Sequence, residues 1–406
     1  MGKFIVNGGR RLHGEVEVSG SKNAALPIIF ASLITHGVSE IRNLPDITDV
    51  KIALMIIEQL GARVSLDGGV ALIDTRSLEY RSPSAELVSC LRASTYLIGA
   101  GLVRFCRAEL LPFGGCNFSH RPIDIHLAAA ESFGAVLDGG TLTADTLHPA
   151  EITLAKKSVG ATVNSLILAA GTKGESRIRG YAIEPHIITL IEYLRSAGAV
   201  IETSGDALRI VGGHLHGGSV SVPGDMIEAG TYLAASLVTG GDVTVTGFFT
   251  DELCSFIDPL RVAGVRAEGG KDWLRLSGAP RRKMDIVTAA YPGFPTDLQP
   301  IFSVLMAKFH GGTVRETVWQ GRFGYLSELA KLGLSYSLDA YGASIHTSHP
   351  LPGTMRATDL RGGAAGLLFA LAAEGQSEIR SGEVILRGYE RPIEKLRELG
   401  AEIAYV

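Results

Sequence analysis

Six times along the chain, a stretch with the helical spacing of apolar residues ends in glycine and gives way at once to a strand-like run. The junctions are Leu60-Gly61-Ala62-Arg63-Val64, Phe133-Gly134-Ala135-Val136-Leu137, Ala197-Gly198-Ala199-Val200-Ile201, Ala263-Gly264-Val265-Arg266-Ala267, Leu332-Gly333-Leu334-Ser335-Tyr336 and Leu399-Gly400-Ala401-Glu402-Ile403. Their glycines are 73, 64, 66, 69 and 67 residues apart, a spacing too regular to be accidental. Each glycine is expected in the left-handed conformation that ends a helix.

A second helix, richer in alanine and more continuously apolar, recurs in every copy, from Asn23, Arg92, Ser158, Glu228, Asp297 and Arg361 onward. A glycine turn and a strand follow, as in Gly37-Val38-Ser39-Glu40-Ile41-Arg42 and Gly241-Asp242-Val243-Thr244-Val245-Thr246. One copy therefore holds an amphipathic helix, a mostly buried helix and several strands, and it cannot bury its apolar faces alone. Three copies around an axis would put the apolar helices in the centre and the sheets outside, and six copies make two such α/β domains. A chain of 406 residues is also too long for one ordinary core. The third copy ends near Gly212-Gly213 and the fourth apolar helix begins near Glu228, so one interdomain crossing is expected between Asp225 and Gly230.

Composition narrows the class. The 46% hydrophobic and 20% charged residues are those of a soluble globular protein. Basic residues number 38 against 42 acidic, for a formal charge of −4, which argues against a nucleic-acid partner. No apolar run reaches the roughly 18 residues of a membrane helix, and Met1 to Asn7 is too poor in apolar residues for a signal peptide, so a cytoplasmic protein without membrane insertion is expected. The cysteines at 90, 106, 116 and 254 form no CxxC pair and no zinc spacing, and read as free thiols in a reducing compartment.

Candidate chemistry gathers where the apolar helices begin: Lys22-Asn23, Arg92, Lys156 with Ser158, Asp225 with Glu228, Thr296-Asp297, and Asp359 with Arg361. Helix N-termini carry unpaired N–H groups and a positive dipole end, so phosphates and carboxylates are stabilised there, and a ligand cleft lined by helix beginnings is one reading. Ordinary capping is the other, because Asn23, Ser158, Asp225 and Asp297 are all good N-cap residues. Arg92 and Arg361 oppose the dipole and would cost stability unless an anion compensates. Arg322 and Arg387 read as loop residues, and a solvated surface charge is the usual fate of arginine.

The stretch Leu111-Pro112-Phe113-Gly114-Gly115-Cys116-Asn117-Phe118-Ser119-His120-Arg121-Pro122-Ile123-Asp124-Ile125-His126 puts a thiol on a bend beside two cationic side chains. Gly114 and Gly115 read as a flexible approach, and the cations favour thiolate, so Cys116 is a candidate reactive residue. A small residue filling space is the alternative. Cys90, Cys106 and Cys254, in apolar or helical context, are expected to be shielded or ordinary.

Gly-Gly-Cys-x-Phe-x-x-Arg-Pro-Ile-Asp-x-His in this stretch resembles the loop of the UDP-N-acetylglucosamine enolpyruvyl transferases. Ser19-Gly20-Ser21-Lys22-Asn23-Ala24-Ala25, Phe294-Pro295-Thr296-Asp297-Leu298-Gln299 and Arg387-Gly388-Tyr389-Glu390-Arg391 resemble further motifs of that family, and the resemblance runs over essentially the whole chain. It implies a two-domain inside-out α/β barrel with pseudo-threefold symmetry. One domain would span residues 21–227, and the other residues 1–20 with 228–406. The strand Gly14-Glu15-Val16-Glu17-Val18 would complete the second domain's outer sheet, with another crossing at Ser19 to Lys22.

The reaction so implied transfers the enolpyruvyl group of phosphoenolpyruvate to the 3-hydroxyl of UDP-N-acetylglucosamine and releases phosphate. It is the first committed step of peptidoglycan synthesis, and thus serves cell wall biogenesis, cell shape and cell division. The chemistry needs no metal and no cofactor, only placed acids, bases and cations. Lys22, Arg121 and Arg387 match the phosphoenolpyruvate clamp, Asp297 the acceptor of the hydroxyl proton and Asn23 the amide that holds the sugar. An aspartate at a helix start must be desolvated to serve as that base. Cys116 matches the loop thiol of proton transfer and product release, the target of fosfomycin. Arg92, Arg322 and Arg361 match supporting positions, which makes Arg322 and Arg387 cleft residues. Arg121-Pro122-Ile123-Asp124-Ile125 and the segment of Lys156, Ser158 and Gly160 resemble the parts that hold uridine and diphosphate. These matches, with the Gly-Gly-Cys loop, distinguish the chain from the sister enzymes that make 5-enolpyruvylshikimate 3-phosphate.

Three positions depart from the family pattern: Ser119 replaces a second loop glycine, Gly321 an asparagine, and Leu386 an aspartate beside Arg387. Two alternatives to the main reading are a paralogue acting on another nucleotide acceptor and a non-catalytic binder of the nucleotide sugar.

Overall fold

The computed structural model describes residues 2–115 and 121–406, so Cys116 and Ser119 lie outside the described residues. It divides into two compact units. One comprises residues 20–115 and 121–223, and the other residues 2–19 and 224–406. They are called here the Gly20 unit and the Gly224 unit.

All six repeat glycines are left-handed, with φ between +94° and +111°, and each stands two residues ahead of a strand. The six apolar helices are Lys22–Ala31, Leu97–Phe105 and Val159–Gly171 in the Gly20 unit, and Met226–Thr239, Gln299–Lys308 and Leu360–Leu371 in the Gly224 unit. Every residue of Leu360–Leu371 is buried, as is every residue from Ile227 to Val238 and from Ala161 to Ala170. Helices covered on all sides need no polar face, which is why their sequences lack amphipathic periodicity. Within each unit they pack on one another, and the sheets lie outside them: the inside-out α/β arrangement.

Five of the sheets have four strands in one repeated order. The strand that leaves the apolar helix lies second, with a parallel neighbour on one side and an antiparallel hairpin on the other. Glu151–Thr153, Gly174–Arg179, Ala207–Gly212 and Val200–Ser204 are an example. The exception is the sheet of Arg107–Glu109, Thr141–Thr143 and Val136–Asp138, which has three short strands and no parallel neighbour among the described residues. This copy carries the long connection that includes Cys116.

His13–Glu17 runs parallel to Asp242–Thr246 in the Gly224 unit. A strand not foreseen from the sequence precedes it. Lys3–Gly8 lies between Gly375–Arg380 and Glu402–Tyr405, with Val6 opposite Ser377 on one side and Ile403 on the other. It takes the place that the second hairpin strand holds in the other copies, so the beginning of the chain completes the sixth copy.

Several helix beginnings differ from expectation. Ser158, Asp225 and Asp359 are true N-caps whose side chains accept backbone N–H groups. Asn23 lies inside the first turn of its helix, behind Ser21. Asp297 is no cap either: it sits in a 3-10 turn, Thr296–Leu298, and the helix starts at Gln299 with Pro300, whose missing N–H suits the first turn. Arg92 likewise opens a 3-10 turn, Arg92–Tyr96, ahead of its helix. Arg387 is the last residue of the 3-10 stretch Gly382–Arg387 rather than part of a loop, whereas Arg322 does lie in a turn.

Phe4 is fully buried and packs against Tyr405, with ring centroids 4.9 Å apart and the rings tilted by 60°. Both tryptophans, Trp273 and Trp319, belong to this unit. Phe4→Ala is therefore expected to lower the unit's stability by about 3–5 kcal/mol, read as a shift of the tryptophan-fluorescence transition to lower urea. An unshifted midpoint would mean that the terminal strand is not part of the cooperative fold.

Candidate functional site

In the Gly224 unit the sequence candidates converge on one carboxylate. Arg361 donates from Nε and Nη2 to Oδ2 of Asp297 at 3.2 and 3.1 Å, and Arg322 donates from Nη1 to Oδ1 at 2.9 Å. Both guanidinium groups are buried, with side chains 2% and 4% exposed, whereas the Asp297 side chain keeps 28%. The anion that compensates Arg361 at its helix start is thus a side chain of the protein. Burial alone would depress the Arg361 pKa, but Asp297, with Tyr389 and Asp225, holds it above its ordinary value. The guanidinium also lies 5.4 Å over the Tyr389 ring, whose hydroxyl bonds Thr231 at 2.8 Å. Its remaining nitrogen, Nη1, is buried without a hydrogen-bond partner among the described residues.

Arg322 Nη1 also donates to Thr296 Oγ1 at 2.9 Å, and Thr296 donates to Glu316 Oε2 at 2.8 Å. Glu316 Oε1 accepts the backbone N–H groups of Val318 and Trp319, which anchors the turn that carries Arg322. Glu228 serves differently from a ligand-facing helix start. Burial raises its pKa to about 7 against the pull of Lys395, and it accepts Lys395 Nζ at 2.7 Å and the Ser19 N–H at 3.0 Å. Lys395 also reaches Ser19 Oγ at 2.6 Å, so this network ties down the segment that leads into Gly20.

In the Gly20 unit, Lys22 opens its helix against the dipole and is paired with Asp49, Nζ to Oδ2 at 3.3 Å. Asp49 stands in the first turn of Thr48–Gln59, where a negative charge also suits that helix. Arg92 Nη2 donates to the Arg121 carbonyl at 2.6 Å, and burial lowers the Arg92 pKa. The two loop glycines prove to be packing residues rather than a free hinge. A Cβ on Gly114 would meet the Ser89 carbonyl at 1.5 Å, and one on Gly115, at φ +111°, would meet Arg121 Nη2 and Arg92 Cβ at 2.7 Å.

The segment matched to nucleotide binding is organised by a residue the sequence reading left unassigned. Asn164, wholly buried, accepts the Gly99 N–H at 2.8 Å, donates to the Thr95 carbonyl at 3.1 Å and donates to His126 Nδ1 at 2.7 Å. Because Nδ1 accepts, the imidazole proton resides on Nε2. The ring lies so close to Gly160 that a Cβ there would approach its Cε1 and Nε2 to 2.7 and 2.9 Å. Ser158 caps the helix at 3.3 Å from the Ala161 N–H. Lys156, Pro122 and Asp124 are exposed, Ile123 and Ile125 pack against the core, and Asp124 and Ile125 begin the helix Asp124–Ser132. The Asn23 amide makes no hydrogen bond among the described residues.

Of the two expectations for Cys90, Cys106 and Cys254, shielded or ordinary, the first does not hold: all three are exposed, each at or beside a helix end. Asp49, Glu316, His126 and Asn164 were missed. Two of them carried a signal: His126 closes the motif that begins at Gly114, and Asn164 is a lone amide in an otherwise apolar helix that must find partners once buried.

The family model described as EPSP synthase (3-phosphoshikimate 1-carboxyvinyltransferase) matches residues 6–396. The chain is 40% identical over 412 residues to "UDP-N-acetylglucosamine 1-carboxyvinyltransferase 3" of Caldanaerobacter subterraneus subsp. tengcongensis, covering 99% of both chains. It is 39% identical over 414 residues to the UDP-N-acetylglucosamine 1-carboxyvinyltransferase of Halothermothrix orenii, covering 100% of both. Among solved structures it resembles the enolpyruvyl transferase NikO from Streptomyces tendae, with a TM-score of 0.89 at 28% identity over 100% of this chain and 99% of that one.

Burial, with Arg92 nearby, lowers the His126 pKa to about 4 despite the opposite pull of Asp124. From the ordinary value of 6.5 down to about 4, the unfolded chain binds a proton that the folded one refuses. His126 therefore contributes stability that is present above 6.5 and lost as the pH falls through that window. His126→Gln is expected to shrink the loss of urea resistance of the Gly20 unit over this range, followed by proteolysis of the unfolded fraction. An identical pH dependence in the variant would show that His126 binds its proton equally in the folded and the unfolded chain.

Proposed function

The chain belongs to the enolpyruvyl (1-carboxyvinyl) transferase family, and from that premise we propose that it transfers the enolpyruvyl group of phosphoenolpyruvate to the 3-hydroxyl of UDP-N-acetylglucosamine, releasing phosphate. In the cell this is the committing step of peptidoglycan synthesis, carried out in the cytoplasm. Full-length similarity to relatives of that name carries the reading. The pairing of Asp297 with two buried arginines supports it, because it fixes a carboxylate that remains partly exposed.

The acceptor oxygen forms a bond to C2 of phosphoenolpyruvate as C3 gains a proton. The tetrahedral adduct then expels phosphate as C3 loses a proton, which restores the double bond. Asp297 takes the proton of the acceptor hydroxyl. Two guanidinium partners lower its basicity, so the proton transfer needs one of these contacts to loosen as the carboxyl becomes neutral. The buried Nη1 of Arg361 offers a further donor to an anionic ligand. Lys22, Arg121 and Arg387 hold the phosphate and carboxylate of phosphoenolpyruvate, Asn23 the sugar, and Cys116 supplies the proton to C3. Ser158, Gly160 and the Arg121–Ile125 segment hold the nucleotide. An acceptor without the N-acetylglucosamine group, tested beside UDP-N-acetylglucosamine with phosphate release as readout, separates this reaction from that of a paralogue.

Asp297→Asn is expected to bind UDP-N-acetylglucosamine and to lose about two to four orders of magnitude in kcat, the range of general-base contributions. It also leaves two buried cations without their carboxylate, so its unfolding is measured alongside. A folded variant with near-normal phosphate release would remove Asp297 from the mechanism.

Because Cys90, Cys106 and Cys254 are exposed, a general alkylating agent will not single out Cys116. Fosfomycin is expected to do so, since its phosphonate takes the phosphate position at Lys22, Arg121 and Arg387, and UDP-N-acetylglucosamine is expected to accelerate the reaction. Peptide mapping after timed exposure decides it: an adduct forming first on another cysteine refutes the assignment.

A further inference from the structure

The Gly20 unit holds a cavity of about 210 Å³ lined by Ile34, His36, Val103, Arg104, Gly171, Lys173, Gly213 and His214. Ile34 follows the end of Lys22–Ala31, Val103 stands in the last turn of Leu97–Phe105, and Gly171 closes Val159–Gly171. The cavity therefore sits where all three apolar helices of the unit finish. Lys22, Arg92 and Ser158 stand at their beginnings, roughly 20 Å away by helix length.

Four of the eight lining residues carry cationic or protonatable side chains, and none is Asp or Glu. One ordinary account is that cations complement helix C-termini. It fits Arg104 at the Thr35 carbonyl, to which it donates at 3.4 Å; Arg104 also donates to the Thr75 carbonyl at 2.8 Å and lies within hydrogen-bond distance of both His36 ring nitrogens, at 2.8 and 2.9 Å. Lys173, two residues past the end of Val159–Gly171, and His214 are exposed, and their side chains make no hydrogen bond among the described residues, so both are open to a ligand. Burial depresses the His36 pKa, and repulsion from Arg104 and His214 adds to it, so the cluster carries charges that no lining carboxylate offsets. The corresponding helices of the Gly224 unit end at Thr239, Lys308 and Leu371, and Gly240, His310 and Glu374 stand in the turns that follow, a set that mixes one acid with the bases.

We propose that this cavity is a second anion site, taking a phosphoryl dianion either free or carried on a small metabolite. Lys173 and Arg104 supply the fixed charge, His36 and His214 supply N–H donors, and Ile34 with Val103 leaves an apolar wall for a short carbon skeleton.

Inorganic phosphate and glycerol phosphate, titrated at neutral pH and constant ionic strength, are read on the side-chain resonances of His36 and His214. Those resonances are assigned by their loss in His36→Gln and His214→Asn. Both are expected to shift in a saturable manner. Lys173→Ala, at an exposed position, is expected to weaken the midpoint about tenfold, the worth of one charged contact. Lys22→Ala, at the other end of the helices, is expected to leave it unchanged. Tighter binding of the ester identifies a metabolite as the source, and tighter binding of phosphate the free ion. Linear, unsaturated shifts, or equal midpoints in Lys173→Ala and the unaltered protein, overturn the site.

Discussion

Because Val159–Gly171, Met226–Thr239 and Leu360–Leu371 are covered on every side over most of their length, any polar group they carry there must find its partner inside the protein, and an unpaired charge would cost several kcal/mol. Arg361 meets this demand with Asp297, Glu228 with Lys395 and the Ser19 N–H, and Asn164 with His126, Gly99 and Thr95. Each pairing joins an apolar helix to a different part of the chain. The polar network is therefore a set of cross-links that determines how the beginnings of these helices are held.

The same constraint bears on the chemistry. In the proposed reaction the carboxylate that takes the hydroxyl proton must not move, and two buried guanidinium groups hold Asp297 more firmly than capping of its own helix would. The cost is basicity, because every cation bonded to a carboxylate stabilises its ionised form. Positional rigidity and a stabilised anion are in this way two results of one pair of contacts. Lys22 with Asp49 shows a related balance, in which the carboxylate neutralises a lysine that would otherwise oppose its helix dipole.

Repetition explains the rest of the architecture. Five four-stranded sheets share one strand order, and the sixth copy is completed by Lys3–Gly8 from the beginning of the chain. The single three-stranded sheet belongs to the copy with the Cys116 connection. There the chain leaves the repeat after Arg107–Glu109, and Gly114 and Gly115 are required because the backbone passes against Ser89 and Arg92 more closely than a Cβ permits. A regular scaffold carries the departure at one place.

Periodicity was enough to reveal the six copies, because a glycine that must adopt φ near +100° at the end of a helix leaves a mark in the sequence that side-chain drift does not erase. Continuous apolar stretches likewise announced helices buried on all sides, and the motifs around Cys116, Asp297 and Arg387 announced the family. What the sequence left undecided were pairings across long separations. Nothing local says that Asp297 is bonded by residues 25 and 64 positions away, that Asp49 answers Lys22, or that residues 3–8 lie between strands near the other end of the chain. Local propensity assigned Asp297 to capping and the loop glycines to flexibility. Tertiary contact overruled both, because a buried guanidinium binds a carboxylate more strongly than a helix end does, and because close backbone approach forbids a side chain whatever the local conformation.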